Sequence, residues 1–219
     1  MGETSCISSR RPVLGGAAIR IGSALALSML LAQSAMPGHA GDGPGEVPSG
    51  TYVLDEQRSS VFVIVGYAGG LLREKVRFKR VQGELVRVQA DAGRSRVVIK
   101  VDSTSADSGE SAFNRTIATS LGSERHPTIT FVSRELSLHD KRHGDLDGDL
   151  TLRGVTRPLR LHVVMQEVAR GDGDHATRIR FSGRGRVRRS DFGIRAPGPL
   201  ARDVVVLRFE VAFASPETR

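Results

Sequence analysis

Strict period-two alternation of apolar and polar residues constrains this chain most, and it is clearest in residues 150–163, LTLRGVTRPLRLHV. Leu150 and Leu152 alternate with Thr151 and Arg153, and after a break Leu159, Leu161, Val163 and Met165 alternate with Arg160 and His162. In a strand successive side chains point to opposite faces, so each set covers one side of a sheet. Residues 154–158 read as the bend between two strands, with Pro158 at the start of the second, where a missing N–H is tolerated. The apolar face must cover either a solid core or something held inside.

The same pattern recurs along most of the chain. Val61, Val63, Val65 and Tyr67 share one face until Ala68-Gly69-Gly70 breaks the strand. Val76 and Phe78 continue in phase, and a slip near Arg80-Val81 predicts a bulge. Val97, Ile99 and Val101 form another face, then Ile129 and Phe131, after which a second bulge would bring Leu136 and Leu138 into register. Over residues 178–189, Ile179, Phe181, Gly183, Gly185, Val187 and Arg189 face one way, against Arg178, Arg180, Arg184, Arg186 and Arg188. The last strand carries Val205, Leu207, Phe209, Val211 and Phe213 on one face. Residues 107–121 are the exception: Phe113, Ile117 and Leu121 recur every four residues and predict one short helix, ended by Gly122.

These patterns predict an all-β domain of about eight or nine strands, with one inserted helix and no internal repeat. Strands with one apolar and one polar face suit an antiparallel sheet with one wet side. Closure into a barrel removes its exposed edges. An eight-stranded barrel is just wide enough for side chains to fill or for one small ligand. Gly183 and Gly185 fall on the inward parity, where they either leave room inside or permit strong bending; that gap is the first place to look for a ligand.

The chain ends read differently. Residues 1–40 combine Arg10 and Arg11 with an apolar stretch and a small-residue site ending in Ala40, the layout of a cleaved signal peptide. Its apolar core, residues 21–31, is too short for a stable bilayer span. The expected product is periplasmic or secreted. Ser9-Arg10-Arg11 resembles a twin-arginine signal but lacks its usual Phe and Lys, so Sec and twin-arginine export both stay open. Residues 41–50 read as a flexible leader, 51–214 as the barrel domain and 215–219 as a tail. Cleavage removes Cys6, the only cysteine, so the mature chain has no thiol for a disulfide or a metal. It also removes three arginines (Arg10, Arg11, Arg20) and Glu3, so the formal charge of +8 becomes +6. An excess of that size keeps a protein soluble, or favours anionic partners.

Several segments, taken together, resemble the YceI-like family of exported bacterial lipid-binding proteins. They are Tyr52-Val53-Leu54-Asp55 with Ser59-Ser60-Val61, the run from His126 to Ser133, the run from Gly148 to Pro158, and Arg189-Ser190-Asp191-Phe192-Gly193-Ile194. The resemblance implies an elongated lipocalin-like antiparallel barrel with an inserted helix. It implies a binding protein, not an enzyme, with no cofactor and with a long-chain, isoprenoid-like amphiphile in an apolar tunnel. Val61, Val63, Val65, Tyr67, Phe78, Ile99 and Phe131 would form the tunnel wall with Leu150, Leu152, Leu161, Val163, Ile179, Phe181, Leu207 and Phe209. The chain departs from the family at Tyr67 (usually His), Val76 (usually Gly) and Arg188 (usually Asn), which bears on the pocket mouth and ligand identity.

Arg189 and Asp191 share the inward parity, and an inward charge is costly unless paired. Arg189 therefore either closes the barrel end through a salt bridge or hydrogen bonds, or meets a polar ligand head. The run from Asp145 to Asp149 resembles the start of a calcium loop, but Leu150 and Thr156 stand where that loop needs Gly and Glu, so strand is the better reading. His126, His139, His143, His162 and His175 read as solvated loop histidines, no metal site is expected, and Asn114-Arg115-Thr116 reads as an incidental glycosylation sequon. No nucleophile elbow or catalytic residue stands out. The outward arginine row lacks the interleaved aromatics of a nucleic-acid surface. It supports the alternative reading: a solid-core barrel that docks a membrane surface or an acidic protein through those arginines. Oligomeric state stays open.

Overall fold

The computed structural model describes residues 47–88, 91–170, 176–195 and 201–215. The expected signal peptide, most of the leader, His175 and residues 216–219 lie outside the described residues. Alternating residues form eleven strand segments: β1 (Gly50–Leu54), β2 (Ser60–Tyr67), β3 (Leu72–Phe78), β4 (Val81–Arg87), β5 (Arg96–Asp102), β6 (Ala106–Asp107), β7 (Thr128–Leu138), β8 (His143–Leu152), β9 (Val155–Ala169), β10 (Arg178–Arg188) and β11 (Val204–Ala214). One helix, α1 (Ser111–Leu121), lies between β6 and β7.

The segments make eight staves, because β1 and β2, β3 and β4, and β5 and β6 are each one stave with a break. Each stave pairs antiparallel with the next in the chain. β11 then returns to the first, pairing with β2 over Val206–Glu210 and with β1 at Phe213 and Ala214. The sheet closes on itself as an up-and-down barrel, the arrangement that resolves most of the exposed-edge problem of an antiparallel sheet.

The breaks are satisfied by neighbouring staves. The slip predicted near Arg80-Val81 is the break between β3 and β4. There the Lys79 and Arg80 backbone N–H groups donate to the Ser105 carbonyl and hydroxyl (both 3.1 Å), and the Val81 N–H donates to the Glu56 carboxylate (3.0 Å). No backbone donor is stranded by the interruption. The second predicted bulge lies between Ser133 and Glu135 on β7. A third, not foreseen, leaves Gln166 of β9 without an opposite residue, since Arg180 faces Glu167 and Phe181 faces Met165.

The β8–β9 hairpin is tighter than its sequence suggested. Arg153 and Gly154 alone make the turn, with φ of 53° and 75°. Positive φ at both positions is what a two-residue type I′ connection requires. β9 begins at Val155, and Pro158 lies within it opposite Asp149. The helix also starts later than expected, at Ser111. Asp107 belongs to β6, and its carboxylate accepts from the Gly109 N–H and the Asn114 amide (both 3.0 Å). The Asn114 carbonyl oxygen in turn accepts from the Ser108 N–H (2.7 Å), so the sequon asparagine is an internal brace. Gly122 ends the helix in the left-handed conformation, as read.

Candidate functional site

Inside the barrel lies a cavity of about 290 Å³. β2 contributes Val61, Val63, Val65 and Tyr67, and β3 contributes Val76 and Phe78. Across the axis, Ile99 of β5, Phe131 and Leu136 of β7, and Leu146, Leu150 and Leu152 of β8 continue the wall. Leu161 and Val163 of β9, Phe181 of β10, and Leu207 and Phe209 of β11 complete it. Every residue expected to line a tunnel does so except Ile179. That side chain is wholly enclosed (0% exposed), packed with Tyr52, Leu54, Val211 and Phe213. Parity placed Ile179 on the inner face correctly. It stands near the start of β10, inside the buried cluster that plugs this part of the interior, of which Val211 and Phe213 also border the cavity.

The α1 residues Phe113, Ile117 and Leu121 also face the cavity, with Thr116 and Ser120 beside them. The four-residue spacing revealed a helix with one apolar face, but only the fold shows that face turned to the barrel axis. Arg153 ties this end together, its guanidinium donating to the Ser120 carbonyl (2.8 Å) and the Gly193 carbonyl (3.3 Å).

Gly183 and Gly185 do not make the gap. A methyl group at Gly183 would overlap the Phe209 ring, which stands directly across the strand pair. At Gly185 it would meet Leu161 at 2.6 Å. These glycines accept side chains from neighbouring strands and bring the staves close together. The open space lies along the axis between the Val, Leu and Phe walls, so the barrel is not solid-cored.

Two charged residues line this largely apolar wall: Arg96, which is exposed, and Arg189, which is buried. Arg189 is 9% exposed and lines the cavity. Its Nη2 donates to the Arg202 carbonyl at 2.5 Å, while its buried Nε has no hydrogen-bond partner among the described residues. Nor does Arg189 form an ion pair with any described residue, so the salt-bridge reading of this position fails and the hydrogen-bond reading holds for one nitrogen. Asp191 is exposed rather than inward, because the chain leaves β10 at Arg188 and turns through one 3-10 turn over Arg189–Phe192. Tyr67 ends β2 at the same end of the cavity. Burial raises its hydroxyl pKa, and the nearby Arg189 charge opposes that rise. A guanidinium with a free donor in an apolar wall can take an acceptor oxygen.

The acidic run lies on β8 with its carboxylates outward. Arg160 holds Asp147 through two 2.8 Å hydrogen bonds, and Arg134 lies 3.4 Å from Asp149. Asp145 sits between His162 (2.6 Å) and His139 (3.3 Å), and His143 pairs with Asp140 (2.9 Å). The exposed histidines are thus paired, not merely solvated. Among the described residues, no three His, Cys, Asp or Glu side chains are grouped to hold a metal ion.

Comparison with known proteins places this geometry. Residues 52–213 match the model of the YceI-like domain. A UPF0312 protein of Vibrio cholerae serotype O1 is 34% identical over 130 residues, covering 57% of this chain; the chain spans 66% of that relative's length. Among solved structures, Burkholderia cenocepacia BcnA superposes with a TM-score of 0.62 at 21% identity, over 73% of this chain and 98% of its own. A polyisoprenoid binding domain from Saccharophagus degradans gives 0.61 at 16% identity, over 75% and 98%. At these identities the two structures share the fold.

Proposed function

Since the chain belongs to the YceI-like family, we propose that it is an exported carrier that holds a long-chain, isoprenoid-like amphiphile inside its barrel. The observation that carries this reading is the continuous Val, Leu, Ile and Phe wall around an open cavity. A long alkyl or isoprenyl chain needs only such a wall, and each buried methylene contributes about 0.8 kcal/mol, less the cost of ordering the chain. The solved domain described as polyisoprenoid binding shares this barrel. The chemistry is binding rather than catalysis: the buried charge in the wall is beside Tyr67, where Arg189 receives the ligand's polar head, while Arg96, which also lines the cavity, is exposed. Export is read from residues 1–40, and a mature chain starting after Ala40 is the expected outcome of N-terminal sequencing.

Native mass spectrometry of protein purified from an exporting host tests the carrier reading. A long-chain amphiphile should extract into organic solvent in near one-to-one amount. A protein that stays empty there, and takes up no long-chain lipid on incubation, would sink the idea. Arg189→Leu should weaken retention of a ligand with an anionic head at least about tenfold, the worth of one charge-assisted hydrogen bond. Unchanged retention would remove Arg189 from the site.

A further inference from the structure

We infer that the outer face of β3, β2, β11 and β10, with the β2–β3 hairpin tip, is a docking surface for an anionic lipid bilayer. The sheet register assembles it. Phe62 of β2 lies opposite Arg208 of β11 on one side and Arg77 of β3 on the other. Ile64 lies between Val206 and Lys75 in the same way. Arg208 faces Arg184, and Val206 faces Arg186, across the β10–β11 pair. The result is an apolar stripe of Phe62, Ile64 and Val206 with a basic border on each side. Lys75 reaches over the Phe62 ring, its Nζ 3.7 Å from the ring centre. Among the described residues, none of Lys75, Arg77, Arg184, Arg186 and Arg208 forms an ion pair. The carboxylate opposite Arg77, Asp107, is held by Lys79 at 2.6 Å. Glu210 lies at the far end of the stripe, beside Ser60 and Ser182.

The stripe leads to the hairpin tip, where Leu71 and Leu72 are 88% and 65% exposed. Leu72 is paired with Tyr67, the last wall residue of β2, so the tip adjoins the Arg189 end of the cavity. Like charges directly opposite in a sheet destabilise it, and an exposed leucine pair stabilises nothing in a soluble chain. A negatively charged bilayer relieves both: its head groups neutralise the cations, and its interface takes up Leu71, Leu72 and the stripe. Nucleic acid fits less well, because Phe62, the one ring on this face, is covered by Lys75 and offers no stacking platform. The docking stands on this face alone; its purpose, exchange of cargo at the membrane, rests on the carrier reading.

Sedimentation of the purified protein with phosphatidylcholine vesicles, with and without phosphatidylglycerol, tests it. Binding should require phosphatidylglycerol and weaken as salt rises. Lys75→Glu with Arg208→Glu should reduce it about 25-fold or more, at about fivefold for each basic residue lost. Leu71→Ser with Leu72→Ser should reduce it about tenfold. Arg134→Glu, on the opposite outer face, should bind as the parent does; circular dichroism checks that each variant is folded. Equal binding to neutral vesicles, no binding at all, or folded variants that all bind like the parent would each overturn the inference. So would displacement of the vesicles by a short DNA duplex at the same salt. Cargo extracted from the same variants separates the two claims: docking lost with cargo kept supports the surface, and docking kept by a protein that never holds lipid leaves the surface standing while the carrier reading falls.

Discussion

The outer surfaces of β8–β9 and of β10–β11–β2–β3 are built from the same kind of alternating strand, yet they treat charge in opposite ways. On the first, each acid of the run meets a base: Asp145 with His139 and His162, Asp147 with Arg160, Asp149 with Arg134. On the second, Arg184 stands opposite Arg208, and the neighbouring Lys75 and Arg77 close on a phenylalanine instead of a carboxylate. Cross-strand pairs of opposite charge stabilise a sheet and like pairs do the reverse. One surface is therefore neutralised within the molecule. On the other, among the described residues, only Arg180 and Arg188 of β10 meet acids (Glu167 and Asp203), and Lys75, Arg77, Arg184, Arg186 and Arg208 keep their charge for something outside it.

This contrast holds only if neither surface carries the fold. Ile179→Ala, in the plugged region near the start of β10, should then cost more than any single surface change, about 2–5 kcal/mol in urea unfolding. A cost no larger than that of a surface substitution would mean that the plug is loose. Asp147→Asn on the paired surface should cost less than about 1 kcal/mol, because its partner Arg160 is solvent-screened. Arg208→Glu on the basic surface should have the opposite sign: it turns a repulsive cross-strand pair into an attractive one and should raise the unfolding free energy from urea titration by a few tenths of a kcal/mol. Destabilisation by Arg208→Glu would break the contrast.

The smallest effect concerns pH. Hydrogen bonds from His162 and Arg160 hold the Asp145 and Asp147 carboxyls below their ordinary range. A carboxyl with a lowered folded-state pKa contributes stability that is present above its unfolded value, about 4, and is lost as pH falls through the folded value. The double variant Asp145→Asn, Asp147→Asn should therefore be less stable than the parent near neutrality. The gap should close as pH drops below about 4. Urea midpoints measured across that range decide it, and a constant gap would show that those carboxylates add no pH-linked stability.

Much of the fold was legible because a strand has a period of two and a closed barrel has only one inside. The phase slips in β3–β4 and β7 were visible as breaks in that period. The slip at Gln166 was not, because Val163, Met165 and Val168 stay apolar on both sides of it. The late helix start was hidden in the same way: Asp107 looks like a helix-initiating acid, and only the sheet shows it paired with Arg77. The unpaired state of Arg189 was also beyond reach, since the nearby Asp191 suggested a partner that the chain direction carries outside.

By itself the sequence determined which side chains face in and which face out, through Leu150, Leu161, Val63, Phe209 and their alternating neighbours. It also determined, through Phe113, Ile117 and Leu121, that one helix has a single apolar face. Only the tertiary structure decided what those faces meet. It filled Gly183 with Phe209 and Gly185 with Leu161, enclosed Ile179, and left the axis open elsewhere. It also brought Lys75 and Arg77 onto one surface with Arg184 and Arg208, around Phe62. The physical reason is that parity is a local property of one strand. What fills an inward space, or neutralises an outward charge, comes from the adjacent strand, which for β2 and β11 lies more than a hundred residues away along the chain.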